Sequence, residues 1–486
     1  MKYHNSTKIL KWALVLCQLS LCTLQIKAQT VIFENGAPSA GIEFGNSILE
    51  APDGSLIVVG STTTDTEGLS DIEVTKLTAD GSELWSVTHG GFNNDFPASA
   101  VMLSDGSFVI LGTTGSFTDS PSRDVYLLKM DSEGDILWTH SFGGSQTDEG
   151  TDIKETPEGD FIITAFTQSF GEGETDGWLL KTDSQGNLLW DQTFGGVGIE
   201  ILAGVDVALD GGYILTGGTR SFAGEMEDDI WLIKTDSNGN EIWSQTFGVA
   251  NGIDSGADVA TAADGYVAVG ISDNDPSNPP ALSGEGLFMK VDLDGNLLWD
   301  QSIAGNFRVE GFGVYPSQDD GWFICGTKVE SPSVAHFWVA KADALGEILW
   351  EVELGQPSTV GFAFDVIQTG NGDVVATGLS GLTQSSTQDM HVLRLSDETL
   401  SVSERPQTIE FAAMPNPTQG SLSVVLSKNH ADCMVLVTDA AGKMVKSQNF
   451  ENNEPVEINL SGLNPGMYLL RVLTAEGVGT RRIVKY

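Results

Sequence analysis

Aspartates recur at one place in a periodic pattern, and they are the first residues of this chain that could do chemistry. They stand at the start of corresponding apolar segments: Asp152, Asp206, Asp258 and Asp365. If those segments line a common channel, the carboxylates converge and supply the several oxygen ligands that Ca²⁺ prefers. An aspartate at the start of a strand can instead accept hydrogen bonds from neighbouring backbone amides. Both interpretations stay open, and Ca²⁺ is the one cofactor that the sequence suggests.

The aspartates belong to a repeat whose units end on a tryptophan. These tryptophans follow one another at intervals of 51 to 56 residues: Trp85, Trp138, Trp190, Trp243, Trp299 and Trp350. Each unit contains four short apolar segments, which we name strands a, b, c and d. Glycine occurs in the a–b and c–d turns, as tight hairpins require. Seven a–b turns, from Asp53-Gly54 to Asn371-Gly372, predict seven four-stranded units that stack against one another.

The seventh unit lacks strand d. Its strand c is the segment Met390–Leu395, and neither a glycine turn nor a tryptophan follows before Pro406. At the other end of the chain, the segment 30–36 has no strand b or c before it, and its Phe33 precedes Trp85 by 52 residues. We therefore expect this segment to complete the last sheet beside Arg394, which closes a ring without an exposed sheet edge. The predicted fold is an all-β, seven-bladed β-propeller over residues 29–404 with N-terminal strand closure.

A group of carboxylates of the repeat falls in two kinds of loop. Because the strands of a unit run antiparallel, the d–a and b–c loops share one face. The d–a connections contribute Asp95, Asp148, Glu149, Glu200 and Asp254. The b–c loop 272–285 is longer than its counterparts and contains Asp273 and Asp275. The sequence predicts an acidic rim on this face, with Asp273, Asp275 and the four strand-start aspartates as the candidate ligand-binding residues.

A basic residue recurs nine positions before each tryptophan, and Arg394 takes the corresponding place in the seventh unit. The lysines are Lys76, Lys129, Lys181, Lys234, Lys290 and Lys341. A catalytic lysine is needed only once, so repetition indicates architecture, and each residue is predicted to pair with a carboxylate. The repeated tryptophans are predicted to pack between blades.

Composition excludes some classes of function. The chain has 67 Asp and Glu against 24 Lys and Arg, a formal net charge of −43, which repels a nucleic-acid backbone. No nucleophile elbow, phosphate loop or metalloprotease signature occurs, so no catalytic residue is predicted. A pair of acids for glycoside cleavage stays open, because many carboxylates are available.

The first residues predict export. Lys2, Lys8 and Lys11 precede an apolar run over 12–24, and Ala28 is a plausible cleavage site, so residues 1–28 are interpreted as a signal peptide. The run is too short to anchor a helix across a bilayer, and no later stretch approaches the length of a spanning segment. The mature chain is therefore expected to have no transmembrane segment.

Two resemblances add to this interpretation. Segments such as Gly218-Thr219-Arg220-Ser221 and Asp229–Gly248 resemble the bacterial seven-bladed β-propeller repeat, whose members share architecture without a common activity. Pro415-Asn416-Pro417, the spaced residues 463–471 and the closing segment 481–485 resemble the C-terminal sorting domain of the type IX secretion system of the Bacteroidetes. Short apolar segments at 422–426, 434–438, 456–460 and 468–473 predict a small β-sandwich in this part of the chain. The resemblance assigns residues 412–486 to a sorting domain, after a linker at 405–411, and implies the type IX machinery as a partner. It also implies passage through the periplasm to the medium or the outer cell surface.

The sequence favours an exported, non-enzymatic binding or adhesion propeller that uses its acidic loop face for an extracellular glycan, protein or cation. The alternative is a secreted carbohydrate-active hydrolase or lyase with an Asp/Glu pair on the same face. A purely structural envelope component is a third possibility. No particular ligand follows from the residues themselves.

Overall fold

The computed structural model describes residues 31–35, 41–64, 66, 69–118, 122–223, 228–248, 252–273, 284–303, 308–331, 333–355, 359–382, 388–396, 407–408, 411–426, 433–438, 444–450, 455–473 and 477–486. The interpreted signal peptide 1–28 lies outside these residues. The chain divides into two compact units, Met1–Asp397 and Glu398–Tyr486, and each is described by itself.

The described residues of the first unit form seven four-stranded antiparallel sheets, numbered here as blades 1 to 7. Blades 1 to 4 comprise β2 (Glu43–Glu50), β3 (Leu56–Thr62), β4 (Asp71–Leu77), β5 (Glu83–His89), β6 (Asp95–Met102), β7 (Phe108–Thr114), β8 (Asp124–Met130), β9 (Ile136–Phe142), β10 (Asp148–Glu155), β11 (Phe161–Thr167), β12 (Asp176–Thr182), β13 (Leu188–Phe194), β14 (Glu200–Val207), β15 (Tyr213–Thr219), β16 (Asp229–Thr235) and β17 (Glu241–Phe247). Blades 5 to 7 comprise β18 (Ile253–Ala262), β19 (Gly265–Asp273), β20 (Glu285–Val291), β21 (Leu297–Ile303), β22 (Arg308–Pro316), β23 (Trp322–Ser331), β24 (Val334–Ala342), β25 (Ile348–Leu354), β26 (Thr359–Gln368), β27 (Val374–Leu382), β28 (Asp389–Leu395) and β1 (Val31–Asn35).

The blades form a closed ring around their first strands. The inner strands of successive blades contact one another in turn, and β26 of blade 7 contacts β2 of blade 1. The N-terminal strand β1 pairs with β28 as the outermost strand of blade 7, and Phe33 lies opposite Arg394. The predicted β-propeller and its N-terminal strand closure are confirmed.

Tryptophan and glycine join each blade to the next. Gly239, in the c–d turn of blade 4, has a φ of 78°, and a Cβ atom there would lie 2.6 Å from the ring of Trp190 in blade 3. The turn therefore requires glycine both for its backbone conformation and for this close approach. At the closing junction the ring of Phe33 takes the tryptophan's place over Gly81. The N-terminal strand thus supplies the aromatic side chain that blade 7 otherwise lacks.

The repeated basic residues pair with the a–b turn of their own blade. The ion pairs are Lys76–Asp53, Lys181–Asp160, Lys234–Asp210, Lys290–Asp264, Lys341–Asp319 and Arg394–Asp373. The predicted pairing with a carboxylate is confirmed at these six positions, and the partner is an aspartate of the a–b turn. These cations stabilise the turns and are not available for catalysis.

The second unit is a small β-sandwich, as predicted. One sheet has the order β29 (Gln407–Thr408), β36 (Gly477–Lys485), β35 (Gly466–Leu473), β32 (Cys433–Thr438) and β33 (Met444–Phe450). The other contains β30 (Phe411–Met414), β31 (Ser421–Leu426) and β34 (Val456–Asn459). Side chains from both sheets, among them Val424, Val435 and Leu470, share one core. Strand β29 lies within the predicted linker 405–411 and pairs in parallel with β36.

Candidate functional site

The first strands of the blades enclose a cavity of about 810 Å³ at the centre of the propeller. This volume is within the range of small-ligand sites in proteins. Each of the seven inner strands contributes to its wall. The four aspartates that the sequence analysis placed at strand starts all line it: Asp152, Asp206, Asp258 and Asp365. Their predicted position in the strand is wrong, because they lie well inside the inner strands: Asp152 is the fifth residue of β10 and Asp206 the seventh of β14.

The aspartates are brought together but are not all equivalent. Asp152, Asp258 and Asp365 each follow directly on a register irregularity of the inner strand. Asp206 lies two residues further along its strand, opposite Ile214, which is the place that Lys154 has in blade 3. The irregularity inserts one residue into each inner strand, and such an insertion changes which side chains face the partner strand.

Each of these aspartates connects its blade to the next one. One carboxylate oxygen accepts the amide of the following residue in the same strand. The other accepts an amide of the next blade, in the pairs Asp152 with Val205 (3.0 Å), Asp206 with Thr261 (2.6 Å), Asp258 with Val314 (2.9 Å) and Asp365 with Ile48 (2.9 Å). Hydrogen bonds to an ionised acceptor are stronger than neutral ones. The aspartates are therefore structural links as well as part of the cavity wall.

Lys154 supplies positive charge to this carboxylate group. Its ammonium contacts both oxygens of Asp152, at 2.9 and 2.7 Å. Burial by itself lowers the pKa of Lys154, but the charges of Asp152, Asp258 and Asp206 outweigh it and raise the pKa above the usual lysine value. The lysine is therefore charged at any physiological pH, and it partly neutralises the carboxylates around the cavity.

The carboxylates differ in how readily they ionise. Burial raises the pKa of Asp258 to about 7, although Lys154 opposes the shift. Burial also raises the pKa of Asp206 and of Asp365. A carboxyl group with a pKa near 7 is protonated in a large fraction of molecules at neutral pH and can donate a proton. Asp258 can therefore change its charge near neutrality.

An aromatic wall faces the charged one. Phe312 of blade 6, Phe364 of blade 7 and Phe96 of blade 2 line the cavity, whereas Lys154, Asp206 and Asp258 come from blades 3, 4 and 5. The rings of Phe312 and Phe364 lie 5.5 Å apart, and Phe362 stacks on Phe364 with 9° between the ring planes. The aromatic rings are thus mainly on one side of the cavity and three of the four aspartates on the other, whereas Asp365 belongs to blade 7 and lies on the aromatic side. The sequence analysis did not identify these phenylalanines.

The cavity does not assemble a metal site from the residues at hand. In the described ranges, no group of three or more His, Cys, Asp or Glu side chains is arranged to hold a metal ion. At the carboxylates that the sequence suggested for Ca²⁺, an ammonium group and backbone amides supply the observed contacts. Ca²⁺ binding stays a prediction with no support from this geometry.

The predicted acidic rim is wrong for most of the d–a carboxylates. Four of the five side chains are fully buried, with no exposed area: Asp95, Asp148, Glu200 and Asp254. Asp148 accepts hydrogen bonds from the amide of Gly144 and from the hydroxyls of Thr167 and Ser169. These acids satisfy the polar groups of the loops because a buried carboxylate needs such donors. Glu149 is half-buried and pairs with Arg123 at 2.6 Å.

The long b–c loop of blade 5 can be placed only in part. Asp273 is the last residue of β19, opposite Ile253, so it lies at the loop face of the sheet. Asp275 lies outside the described residues. The role of Asp273 and Asp275 in ligand binding stays a prediction.

Phenylalanines on the same face were also missed by the sequence analysis. Phe117, Phe170 and Phe222 follow strand b in blades 2, 3 and 4, and they are 41%, 43% and 50% exposed. Each packs on an aromatic residue of strand c in its own blade, in the pairs Phe117–Tyr126, Phe170–Trp178 and Phe222–Trp231. A recognisable signal was present, because the phrase Thr-x-Ser-Phe occurs at residues 114–117, 167–170 and 219–222.

Comparison with known families identifies the second unit. Residues 412–486 match the family described as the secretion system C-terminal sorting domain. The class defined by fold and domain is thus an exported β-propeller protein that carries a type IX sorting domain. Its destination is the medium or the outer cell surface. No helix with the length and apolar character needed to cross a membrane occurs among the described residues.

Solved structures similar to the chain include β-propellers of diverse function. An α-L-arabinanase of Penicillium chrysogenum is 12% identical, with 76% of this chain and 97% of that chain covered and a TM-score of 0.41. The propeller domain of the trilobed protease of Pyrococcus furiosus is 8% identical, with 75% and 94% covered and a TM-score of 0.40. Drosophila Semaphorin 1b is 9% identical, with 77% and 88% covered and a TM-score of 0.42. No curated protein matches the chain. Similarities at this level do not extend to activity.

Proposed function

We propose that this protein is an exported binding protein whose ligand is an extracellular glycan that enters the central cavity. The observation that carries the proposal is a cavity of about 810 Å³ whose lining combines aromatic rings with carboxylates. A sugar has apolar C–H faces and polar hydroxyl edges. Phe312 and Phe364 suit the former, and Asp206 and Asp365 can accept hydrogen bonds from the latter.

The position of these groups supports binding at this site. All of them lie on inner strands, which are fixed by hydrogen bonds from blade to blade, so the wall is formed before a ligand arrives. A preformed site loses less entropy on binding than a mobile one does. The role of the C-terminal unit in this proposal is delivery, through the type IX machinery, to the place where such a glycan is found.

Glycan binding is tested by a glycan array followed by calorimetry on the full chain. The double variant Phe312→Ala, Phe364→Ala should weaken binding about tenfold or more, because it removes the aromatic wall. The matched control is Phe92→Ala, since Phe92 is 83% exposed and lies outside the cavity lining. Binding that survives the double variant, or no binding to any neutral glycan, contradicts the proposal.

One observation favours a second candidate, glycoside hydrolysis in the same cavity. Asp258 has a pKa of about 7 and can serve as the proton donor, while Asp152 stands beside Lys154 at 2.7 Å and can serve as the carboxylate partner. Polysaccharide depolymerisation by the wild type, with a loss of at least about 100-fold in Asp258→Asn, is the expected result for this candidate. Binding without turnover rules it out.

The delivery part of the proposal has its own test. Deletion of residues 412–486 should retain the protein in the periplasm, whereas the intact chain should reach the medium or the cell surface. The readout is fractionation of the expressing cells with a periplasmic marker. Normal export of the truncated chain would contradict a sorting role for this unit and would leave the cavity proposal untouched.

A further inference from the structure

An arc of exposed aromatic side chains lies on the loop face of blades 2, 3 and 4, apart from the central cavity. We define the Phe arc as Phe117, Phe170 and Phe222, one from each blade. None of the three lines the cavity. Two further apolar side chains of the neighbouring d–a loops, Phe92 and Val197, are each 83% exposed. Exposed apolar surface bordered by polar residues is characteristic of interaction sites.

Buried acids hold the arc in place. In blade 3 the hydroxyl of Thr167 donates to the fully buried Asp148, and the same hydroxyl oxygen accepts the amide of Phe170 at 3.2 Å. Blade 4 repeats this arrangement with Glu200, Thr219 and Phe222, whose amide lies 3.3 Å from the threonine oxygen. The corresponding groups of blade 2 are Asp95, Thr114 and Phe117. Each phenylalanine is therefore fixed by two successive hydrogen bonds and by its ring contact with strand c.

The arc is limited to part of the ring. The corresponding sequence positions in blades 1, 5, 6 and 7 are Asp65, Asp275, Ser331 and Thr383. Phe117 also stacks on His89 of blade 1, with the ring centroids 5.2 Å apart, so this ring adds to the contact between two blades. The blades that lack a phenylalanine at this position associate without it. Three consecutive blades thus share a phenylalanine at a sequence position where the other four blades have a polar residue.

Charge determines which partner suits this surface. Asp95, Asp148 and Glu200 lie beneath the arc and accept their hydrogen bonds from hydroxyl and amide groups, which are neutral. Glu172 and Glu174, in the b–c loop of blade 3, are exposed. The arginines of these loops are already paired, Arg220 with Asp228 at 2.7 Å and Arg123 with Glu149 at 2.6 Å. The remaining buried and exposed carboxylates give this region a negative potential, which attracts a positively charged partner. An aromatic face binds a guanidinium group by a cation–π contact.

We propose that the Phe arc, together with Glu172 and Glu174, is a docking surface for an extended, arginine-rich segment of a partner protein. Guanidinium groups of the segment stack on the three phenylalanine rings and pair with the carboxylates between them. One ring per blade suits an extended chain that passes over three neighbouring blades. This surface is independent of the cavity proposed to bind a glycan.

The test uses the full chain and a fluorescent oligoarginine peptide, with anisotropy as the readout at low and at physiological salt. The triple variant Phe117→Ala, Phe170→Ala, Phe222→Ala should weaken binding about tenfold or more, because three stacking contacts are lost. The matched control is Leu137→Ala, Leu189→Ala, Ile242→Ala. These residues belong to the same three blades, lie on the outermost strands and are 53%, 52% and 57% exposed. The control should bind as the wild type does, and unfolding curves verify that both variants are folded.

Further probes separate this surface from general attraction to an acidic protein. An oligolysine peptide of equal length should bind more weakly than oligoarginine and should respond less to the triple variant, because lysine stacks less well on aromatic rings. Equal binding of oligoarginine to the wild type and the triple variant would overturn the proposal. So would the absence of oligoarginine binding at low salt. A neutral oligosaccharide that binds the wild type and is lost in the triple variant would assign the arc to a glycan instead.

Discussion

Two groups of carboxylates on the inner strands of this propeller differ in what they do. Asp152, Asp258 and Asp365 face the central cavity and bond to the backbone of the next blade. Asp148 and Glu200 are fully buried in the loops and bond to hydroxyl and amide groups there. The position of an acid within the repeat determines its role, and the number of acids on a face does not. Only the cavity group is in a position to meet a ligand.

The largest loss in the free energy of unfolding should follow the removal of a buried loop acid. Asp148→Ala leaves the amide of Gly144 and the hydroxyls of Thr167 and Ser169 without their acceptor, so we expect the free energy of unfolding to fall by about 3 kcal/mol. Urea unfolding of the full chain measures this loss. The control is Glu172→Ala, an exposed acid of the adjacent loop, which should change stability by less than about 0.5 kcal/mol. Similar losses of stability for Asp148→Ala and Glu172→Ala would show that the buried loop acid contributes no more to the fold than an exposed one does.

Replacement of Lys154, the cation beside the cavity aspartates, should lower the free energy of unfolding by a smaller amount. Lys154→Met deprives Asp152 of its ion pair, and about a third of the lysine side chain, 36%, is accessible from the cavity. Solvent screening reduces the value of such a pair, so the expected loss in the free energy of unfolding is about 1 to 2 kcal/mol. The variant should also be more sensitive to rising pH, since the carboxylates then repel one another. Unchanged stability would mean that the pair contributes nothing to the ring.

The pH dependence of stability distinguishes a cavity acid from the loop acids, and it is measured on the wild type and on Asp258→Asn. The pKa of Asp258 is about 7 in the folded chain, against an ordinary value of 3.8. Its protonated form stabilises the fold fully below pH 4, and this contribution is lost as the pH rises through 7. Asparagine imitates the protonated form at every pH. The stability of the wild type relative to the variant should therefore fall by about 1 kcal/mol between pH 5 and pH 7, after allowance for solvent screening. If the stability difference between the wild type and Asp258→Asn does not change with pH, the pKa of Asp258 is not near 7.

The smallest change in the free energy of unfolding is expected when a serine that donates to one acid of each group is replaced by alanine. Ser99 donates to Asp152 across the cavity wall at 2.8 Å, and Ser169 donates to Asp148 in the loop at 2.8 Å. We expect Ser99→Ala to cost about 0.5 kcal/mol and Ser169→Ala about 1 kcal/mol, because the acid in the loop is the more deeply buried acceptor. Thermal unfolding at one pH gives both values. A reversed order would show that burial of the acceptor does not control the cost.

Much of the fold could be predicted because it depends on local signals that recur. Glycines such as Gly81 and Gly239 mark the turns, and the spacing of the tryptophans reveals the unit. The missing strand d of the last unit and the isolated strand around Phe33 predict closure beside Arg394, and this pairing is observed. Each of these signals lies within one repeat or follows from the number of repeats. Both can be read from the sequence without knowledge of tertiary contacts.

The candidate site was harder to predict because it depends on burial and register. The different place of Asp206 could have been read from the sequence, because it precedes the a–b turn residue Asp210 by four positions, whereas Asp152 and Asp258 precede their turn residues by six. The register irregularity that all three inner strands share is visible only in the structure. The burial of Asp148 results from loops of neighbouring blades that close over it. The phenylalanines of the cavity were overlooked because Phe312 and Phe364 do not belong to the repeated phrase, and they meet only when blades 6 and 7 are side by side.

The position of β28 has a mechanical consequence. This strand is the last of the propeller, and the chain leaves it toward the sorting domain. It lies between β27 and β1 and is hydrogen-bonded on both sides. A protein tethered by its carboxyl end in flowing water experiences a force at that end. This force would act on a strand that is hydrogen-bonded to two neighbours, and not on an edge strand, which is held on one side only. The amino-terminal strand therefore also reinforces the point at which tension enters the ring.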